Sequence, residues 1–275
     1  MRTYLKDCRW GRFVLLHGDM ISEFVNLFGE WCEGEVELFR SILSETSDVI
    51  EVGANIGMHS VALAKLAPKG KLLCYEPQRI IYQILCANIA INDITNAHLV
   101  NKAVSDQPGT ITIATSKYDD PWNYGAFSIR DGFNSEGAYP GATDQEGVDQ
   151  TTLDLDLERQ SVKNLDLIKI DAEGAERLVL DGADATIARH KPYLFVEANK
   201  PETFDDLLAN IRKRGYACYW FLSKRGRPNN YNGAFWNVAG HDINMICVPT
   251  GRSLSLPLVE VQGFGDLTNG AVHPV

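Results

Sequence analysis

Short apolar runs alternate with longer segments of helical periodicity along most of the chain from Asp48 onward. This alternation is typical of repeated strand-helix units built around a parallel sheet. The predicted strands cover 48–52, 71–75, 97–104, 165–170, 192–196, 216–222 and 243–248, with a short extra strand at 110–114. The predicted helices cover 57–66, 79–91, 175–188 and 204–214. The pattern therefore predicts an α/β fold with seven main strands.

Four segments flank or interrupt this alternation. Residues 1–47 carry a pattern of short strands and helix, and we expect them to form an N-terminal extension packed on a main domain over 48–250. Segment 117–150 is rich in glycine, aspartate and aromatic residues and is too long for a simple connection, which favours a lid or binding loop. Segment 223–240, with its arginines, asparagines and aromatic residues, is the second predicted acceptor loop. The C-terminal tail 251–275 has no clear period and receives no predicted role.

Composition and charge restrict the classes of partner. The 275 residues are 45% hydrophobic, so the chain is long enough to bury a sizeable core. Its net charge of −10 would repel a polyphosphate backbone. The charge therefore disfavours nucleic acid as a partner.

Cysteine usage and the N-terminus bear on the compartment. The six cysteines are scattered without a CxxC pair, which favours reduced, buried thiols. The N-terminus lacks the apolar core of a signal peptide, and no apolar run approaches the roughly 20 residues needed to span a bilayer. These features predict a soluble, cytoplasmic protein without a transmembrane segment.

The stretch VIEVGANIG, residues 49–57, joins the first predicted strand to the first helix through a glycine-containing turn. Such a turn exposes backbone N–H groups and allows a ligand to approach closely. The spacing from Gly53 to Gly57 departs from the dinucleotide fingerprint, because Asn55 stands where a glycine is needed and Ser60 lies in the helix. No Gly-Lys-Ser/Thr follows, so a Walker-type phosphate loop is also disfavoured.

Two acidic residues accompany this turn. Glu76 ends the second predicted strand, where a carboxylate can accept hydrogen bonds from both hydroxyls of a ribose. Glu51 lies two residues before Gly53, beside the turn. Together they fit a nucleoside ligand without a pyrophosphate, such as S-adenosylmethionine. The alternative is that both are ordinary strand-end acids on a solvated rim.

Several motifs in order resemble one family. They are VIEVGANIG, CYEPQ at 74–78, the pair Asn88 and Asn92, LDLIKIDAEGAERLVLDGA at 165–183 and FVEAN at 195–199. Together they resemble the FkbM family of S-adenosylmethionine-dependent methyltransferases over about residues 48–199, with weaker similarity at NYGAFSI and TTLDLDL. The resemblance implies a class I methyltransferase fold, a Rossmann-like, seven-stranded and mostly parallel sheet with helices on both faces and an antiparallel last strand. It also implies O-methylation of a hydroxyl, commonly on a sugar or a natural product.

The same resemblance implies a set of cofactor-binding residues. The methionine and ribose part of S-adenosylmethionine would be lined by Glu51, Gly53, Ala54, Asn55 and Gly57. Glu76 would hold the ribose hydroxyls, with Pro77 and Gln78 at the border of the adenine. Ala103, in a segment that offers no acid to the adenine, completes the predicted cofactor site.

Methyl transfer to an alcohol needs alignment of oxygen, methyl and sulfur, and a base that takes the hydroxyl proton. Asp171 and Glu173 are the candidate catalytic residues, because they follow the fourth predicted strand at the end where open α/β sheets bind ligands. The alternative for Glu173 is favourable interaction with a helix dipole. Lys169 is predicted to pair with an acid such as Asp171 or Glu197. Asp171 and Glu197 could hold a metal ion in a metal-assisted enzyme, although a metal is not favoured.

The acceptor is predicted to be a small-molecule or glycan hydroxyl. Candidate acceptor-binding residues are the aromatic Trp122, Tyr124, Tyr231 and Trp236 and the polar Glu197, Arg225 and His241. His59, near the glycine turn, is more simply a structural histidine.

Three other functions remain open from the sequence. One is a methyltransferase acting on nucleic acid or protein, which the basic cluster Lys224 to Arg227 favours and the net charge disfavours. Another is a non-catalytic nucleoside-binding module. The third is an NAD-dependent oxidoreductase, against which Asn55 argues.

Overall fold

A computed structural model describes residues 1–135, 137–158, 160, 162–236, 240–268 and 272–274. The strands are β1 Thr3–Cys8, β2 Gly11–Leu16, β3 Asp48–Val52, β4 Leu72–Tyr75, β5 Ala97–Val100, β6 Ala103–Val104, β7 Gly109–Ser116, β8 Thr143–Thr151, β9 Leu165–Ile170, β10 Tyr193–Glu197, β11 Tyr216–Lys224 and β12 His241–Pro249. The α-helices are α1 Met20–Phe28, α2 Glu33–Ile42, α3 Met58–Leu66, α4 Arg79–Ala90, α5 Leu153–Leu157, α6 Glu176–Asp181, α7 Asp184–His190 and α8 Pro201–Lys213. Short 3₁₀ helices cover Tyr124–Ala126 and Phe264–Leu267.

Seven strands form the central sheet in the order β11-β12-β10-β9-β3-β4-β5. Neighbouring strands are parallel except at β12, which runs antiparallel to both β10 and β11. The chain proceeds from β3 to β4 on one side and later returns to β9 on the other, so the switch point lies between β3 and β9. The predicted class I methyltransferase fold, with its antiparallel last strand, is confirmed.

The core occupies both faces of the sheet. Successive strand residues point to opposite faces, so Val49 and Leu167 pack in one hydrophobic cluster while Ile50 and Ile168 pack in the other. Residues of α2, α3 and α4 belong to the first cluster, and residues of α5 to α8 belong to the second. The helices are therefore divided between the two faces, as the fold class requires.

The predicted third strand, 97–104, is wrong in its extent. It divides into β5, which belongs to the main sheet, and β6, which pairs with β8 in a separate three-stranded sheet. Between them, the Asn101 amide donates to the carbonyls of Glu76 and Pro77, at 2.8 Å and 3.0 Å, and this holds the chain in a turn. The extra strand β7 pairs along its whole length with β8. The segment 117–150 is thus a loop only as far as about residue 142, where β8 begins.

The predicted helix 175–188 is also wrong, since it is two helices, α6 and α7, separated at Gly182. The chain passes so close to Ser105 there that a Cβ on Gly182 would lie 2.0 Å from the Ser105 carbonyl oxygen.

The described part of the tail, which had no predicted role, packs against β11. Val261 is fully buried, and the Trp220 indole donates to Asp266 at 2.9 Å.

Residues 1–47 form the hairpin β1-β2 followed by α1 and α2. Phe13, Leu15 and Phe39 are fully buried in the first hydrophobic cluster. Asn88 of α4 fastens the hairpin, because its side chain accepts from Val14 N at 2.6 Å and donates to Val14 O at 3.1 Å. The extension therefore contributes to the same core as the sheet.

All six cysteines are free thiols, five of them buried and Cys86 partly exposed. Within the described parts of the chain, no helix is both long and apolar enough to cross a bilayer.

Candidate active site

A cleft with about 1040 Å³ of empty space, part of it open to solvent, lies at the carboxyl ends of β3, β4, β9 and β10. This edge of the sheet contains the switch point between β3 and β9, where α/β folds of this kind bind their ligands. Its wall includes eight of the residues predicted to bind the cofactor or to act in catalysis: Gly53, Asn55, Glu76, Pro77, Gln78, Ala103, Asp171 and Glu173. The sequence motifs that are distant in the chain therefore converge on one cleft.

The two glycines of the turn are needed for packing inside the protein. Gly53 has φ of 81°, and a Cβ there would lie 1.8 Å from the carbonyl oxygen of Asp171. Gly57 has φ of 88°, and its Cβ would lie 2.6 Å from a methyl carbon of Leu85. The turn can therefore pass directly beside the end of β9, which brings Asp171 close to Gly53.

Glu76 is buried and its carboxylate accepts two backbone hydrogen bonds. Asn55 N donates to one oxygen at 3.0 Å and Gln78 N donates to the other at 2.9 Å. Asn55 has φ of 49°, a conformation that asparagine tolerates, and this orients its N–H toward Glu76. Burial raises the pKa of Glu76 to about 7, although both backbone hydrogen bonds lower it. The side chain joins the end of β4 to the glycine turn.

Gln78 is held by the loop 117–150. Its amide donates to the Tyr124 carbonyl oxygen at 3.2 Å, and its side-chain oxygen accepts from the Tyr118 hydroxyl at 3.2 Å. Pro77, Gln78 and Ala103 line the same part of the cleft wall. Pro77 and Ala103 give this part of the wall an apolar surface beside the Gln78 amide.

Glu51 and Ala54 lie behind the turn. Glu51 is 1% exposed and accepts a hydrogen bond of 2.5 Å from the Ser60 hydroxyl. Burial raises the pKa of Glu51 to about 7. Both residues border a smaller adjoining cavity that also reaches Lys169 and Asp171, and neither lies on the wall of the main cleft.

Lys169 is the buried cation beneath the cleft. Its ammonium lies 3.0 Å from Asp171 Oδ2, which is the pairing predicted from the sequence. Burial alone would lower the pKa of Lys169, but the carboxylates of Asp171, Glu51 and Glu35 raise it above its usual value. Lys169 is therefore charged and holds Asp171 at the edge of the cleft.

Three carboxylates converge beside Lys169. Asp171 follows the last residue of β9, Glu173 lies two residues further on with φ of 50°, and Glu197 ends β10. One oxygen from each lies within 4.8 Å of the other two. Burial raises the pKa of Glu197 well above its usual value, and repulsion from the neighbouring Glu173 and Asp171 adds to this increase. Glu176 supports the cluster because it accepts from Ala172 N and Gly174 N, at 3.1 Å and 3.0 Å.

His59 also lines the cleft and is buried. Burial lowers the pKa of His59 to about 3, and the positive charge of the nearby Lys169 contributes to this decrease. His59 is therefore neutral. It hydrogen-bonds to the backbone of Trp31 and Cys32, which agrees with its predicted structural role.

The predicted acceptor residues separate into two groups. Glu197 and Arg225 lie on the cleft wall, and the Arg225 guanidinium lies 2.7 Å from Asp242. The other five, within the described part of the chain, are absent from that wall: Trp122, Tyr124, Tyr231, Trp236 and His241.

Each of these five has another environment. Tyr124 is fully buried in an aromatic cluster, and the Trp122 indole donates to the Phe133 carbonyl oxygen at 3.0 Å. Trp236 lies 6.0 Å from the Lys224 ammonium, while Tyr231 and His241 are exposed. None of the five therefore lies on the wall of this cleft, where the sequence analysis expected the acceptor to bind. The loop residues 136 and 237–239 lie outside the described residues.

The wall of the cleft contains further residues that the sequence did not single out. They come from the N-terminal extension, the loop 117–150 and β12: Met20, Ile21, Trp31, Glu35, Asn123, Phe127, Ile129, Asp242 and Asn244. Asn244 and Glu35 interact through a hydrogen bond of 3.2 Å. A polar Asn244 within the apolar strand β12 was the one sequence signal for this group.

The strand order, the glycine turn and the carboxylate after β4 together define a class I methyltransferase domain. The model of the Methyltransferase FkbM domain matches residues 51–218 of the chain. The chain therefore belongs to the FkbM family of S-adenosylmethionine-dependent methyltransferases, which confirms the resemblance and the predicted class of enzyme.

Individual relatives are more distant. Methyltransferase sdnD of Sordaria araneosa is 27% identical over 160 residues, and the match covers 50% of this chain and 60% of that protein. The 2-O-methyltransferase NoeI of Sinorhizobium fredii is 26% identical over 174 residues, covering 61% of this chain and 70% of that protein.

Solved structures are similar at lower identity. The FkbM methyltransferase of Methylobacillus flagellatus KT is 18% identical with a TM-score of 0.47, covering 74% of this chain and 44% of that chain. The O-methyltransferase TomG of Streptomyces achromogenes, solved with its methyl donor, is 13% identical with a TM-score of 0.44, covering 79% and 80%.

Proposed function

We propose that the chain is an O-methyltransferase that transfers the methyl group of S-adenosylmethionine to a hydroxyl of a saccharide or a natural product. One observation carries this proposal: the carboxylates of Asp171 and Glu173 share a cleft with Gly53 and Glu76. The methyl donor and a group able to take a hydroxyl proton can therefore meet at one place. The name of NoeI, a 2-O-methyltransferase, supports the same type of acceptor atom.

The cofactor would occupy the side of the cleft above β3 and β4. Glu76 would accept hydrogen bonds from the ribose hydroxyls, and Pro77, Gln78 and Ala103 would contact the adenine. Asn55 and Gly53 would face the sulfonium and methionine part. Glu51 and Ala54 would support this arrangement from behind the turn rather than contact the ligand.

The acceptor would occupy the side formed by β10, β12 and the N-terminal extension. Acids outnumber bases here, with Glu35, Glu197 and Asp242 on the wall beside Arg225. Such a wall disfavours a phosphorylated or carboxylated acceptor and suits a neutral, hydroxyl-rich one. Trp31 and Phe127 supply the apolar surface on which a sugar ring can pack.

The transfer itself requires proton removal and alignment. The hydroxyl oxygen would attack the methyl carbon in line with the carbon-sulfur bond, its proton passing to Asp171 or Glu173, and S-adenosylhomocysteine would leave. Lys169, 3.0 Å from Asp171, fixes the position of that carboxylate. Asp171 is the stronger candidate base because it adjoins Gly53 directly.

Calorimetry with S-adenosylhomocysteine, followed by an acceptor screen across neutral glycans and nucleotide sugars read by mass spectrometry, tests the proposal. We expect micromolar binding and addition of one methyl group to a hydroxyl. The variant Asp171→Asn should lower kcat by about 10²- to 10⁴-fold while S-adenosylhomocysteine affinity changes little. Asp205→Asn on the exposed surface of α8 is the matched control and should keep full activity.

Failure to bind S-adenosylhomocysteine at millimolar concentration would overturn the cofactor assignment. Binding without transfer to any hydroxyl would favour a non-catalytic module instead. RNA and peptide acceptors belong in the same screen, although both arginines of the basic cluster that favours them are paired with acids: Arg225 with Asp242, and Arg227 with Glu30 and Glu37.

A further inference from the structure

The carboxylates of Asp171, Glu173 and Glu197 form a cluster. If all three were ionised and nothing lay between them, their negative charges would repel one another. One oxygen of each lies within 4.8 Å of the other two, although the residues come from the ends of two different strands. Carboxylates this close need either protons or a cation between them. The cluster lies on the wall of the cleft, so an ion there could touch a bound acceptor.

The second observation is a buried carboxylate oxygen without a hydrogen-bond donor among the described residues. Glu197 is 9% exposed, and its Oε2 atom is buried without a hydrogen-bond donor in the described part of the structure. Its other oxygen accepts from the Asn199 amide at 2.5 Å. The Asn199 side-chain oxygen is likewise buried without a donor in the described residues. Two buried acceptor oxygens without donors at this end of β10 are a feature that a bound cation would satisfy.

The nearby lysines form ion pairs with only two of the three carboxylates. Lys169 bonds to Asp171 Oδ2, and the Lys200 ammonium lies 3.7 Å from Glu173 Oε2. Among the ion pairs of the described residues, none includes Glu197. A positive charge is therefore still lacking at the end of β10.

A neighbouring group of ligand-type residues does not have this property. Cys32, Glu35 and Asp242 also lie close together. The Cys32 thiol, however, donates to Asp242 Oδ2 at 3.2 Å, and Arg225 lies 2.7 Å from the other oxygen. Both Asp242 oxygens in this second group therefore already have partners from the protein.

We propose that Asp171, Glu173 and Glu197, assisted by the Asn199 side-chain oxygen, bind one hard divalent cation such as Mg²⁺ or Mn²⁺. All the ligands are oxygen atoms. Hard ions such as Mg²⁺ and Mn²⁺ prefer oxygen ligands, whereas zinc and copper favour nitrogen or sulfur. The role of the ion rests on the proposed function. The ion would bind the acceptor hydroxyl and lower its pKa, and the proton would then leave to solvent instead of passing to Asp171 or Glu173, which serve as ligands of the ion. The resulting alkoxide forms the new carbon-oxygen bond as the carbon-sulfur bond breaks, and neutral S-adenosylhomocysteine leaves.

The test is direct titration of Mn²⁺ into EDTA-treated, dialysed protein, read by electron paramagnetic resonance of the free ion, with Mg²⁺ as competitor. We expect about one site per chain with micromolar to sub-millimolar affinity. Glu197→Gln should weaken Mn²⁺ binding at least about tenfold. Glu202→Gln, on the exposed first turn of α8, is the matched control and should leave binding unchanged.

Calorimetry with S-adenosylhomocysteine on the same EDTA-treated protein separates the two proposals. If S-adenosylhomocysteine binds but Mn²⁺ does not, the cation site is overturned and the proposed function stands. If methyl transfer is detected and is as fast in EDTA as in Mg²⁺, the catalytic role of the ion is overturned. Should Glu197→Gln fail to fold, Asp171→Asn serves instead, since the Asp171 side chain is 42% exposed.

Discussion

Under the proposed function, the single buried residue Glu76 would couple cofactor binding to pH. Its two oxygens already accept hydrogen bonds from Asn55 N and Gln78 N, so each retains capacity for one more donor. The ribose hydroxyls of a nucleoside supply two donors. Burial raises the pKa of Glu76 to about 7, so near neutral pH the unliganded protein contains both protonated and ionised forms.

The affinity for S-adenosylhomocysteine should therefore increase as pH rises from about 6 to 8, because only the ionised carboxylate accepts both hydroxyls. Glu76→Gln should lower the affinity about tenfold or more and remove most of this pH dependence. Calorimetry at several pH values measures both effects. A wild-type affinity that falls over this range, or a Glu76→Gln variant with the same pH profile, would contradict the assignment.

Unfolding of the ligand-free protein offers an independent check of the same pKa. Because the folded pKa of Glu76 lies above its unfolded value, the folded protein holds the proton more tightly. Its contribution to stability is therefore present below about pH 4.5 and is lost as pH rises to about 7. Denaturant titrations should show that the wild-type protein loses more stability over this interval than Glu76→Gln, by up to about 3 kcal/mol.

At the scale of elements, the junction between β3 and α3 depends on how closely it approaches the end of β9. The Asp171 amide donates to the Val52 carbonyl oxygen at 3.0 Å, so the two strand ends remain joined beyond their last paired residues. Gly53 follows at φ of 81°, with no room for a Cβ beside the Asp171 carbonyl. This contact brings the glycine-containing turn and Asp171, the proposed base, together.

Gly53→Ala should therefore destabilise the protein by more than about 2 kcal/mol, because the new methyl group meets fixed backbone and the positive φ adds strain. Chemical denaturation measures the change, and S-adenosylhomocysteine binding should weaken with it. Gly109→Ala is the matched control, since its Cβ would meet nothing within 4 Å. The control should stay within about 0.5 kcal/mol of wild type or gain slightly. Equal stability of the two variants would contradict the packing argument.

The main sheet could be predicted from the sequence because its strands are apolar runs, as in the segment around Leu167 and Ile168. Strand β8, sequence TDQEGVDQT, could not, because Val148 is its only buried apolar residue and the strand belongs to a small surface sheet. The split at Gly182 was missed because the cause is a tertiary contact with Ser105. Local periodicity contains no information about such contacts.

The site shows the same division between local and tertiary information. Gly53, Glu76 and Asp171 could be located because each follows a strand whose position the pattern predicts. Tyr124 and Trp122 were assigned to the acceptor from residue type alone, and they pack within their own loop instead. Trp31 and Glu35 were missed because nothing in the sequence indicates which distant segment closes over the cleft.

For the molecule as a whole, the N-terminal extension belongs to the core and also to the cleft. Helix α2 lies over the face of the sheet that α3 and α4 cover, and Phe39 contacts Phe195 of β10 edge to face with ring centres 5.1 Å apart. Glu35 of the same helix reaches the cleft wall near the beginning of β12. Losing this packing would therefore open the acceptor side as well as weaken the fold.

Phe39→Ala should lower the free energy of unfolding by about 3 to 5 kcal/mol, since it removes a fully buried aromatic ring from the contact between α2 and the sheet. Phe235→Ala is the matched control, because that ring is 83% exposed and its loss should change stability by less than about 0.5 kcal/mol. Chemical denaturation monitored by tryptophan fluorescence compares them. A single cooperative transition in both variants, with the large difference between them, means that residues 1–47 unfold together with the sheet. If Phe39→Ala instead removes only an early partial transition and leaves the main one unchanged, the extension is a separable unit and its part in the acceptor site must be abandoned.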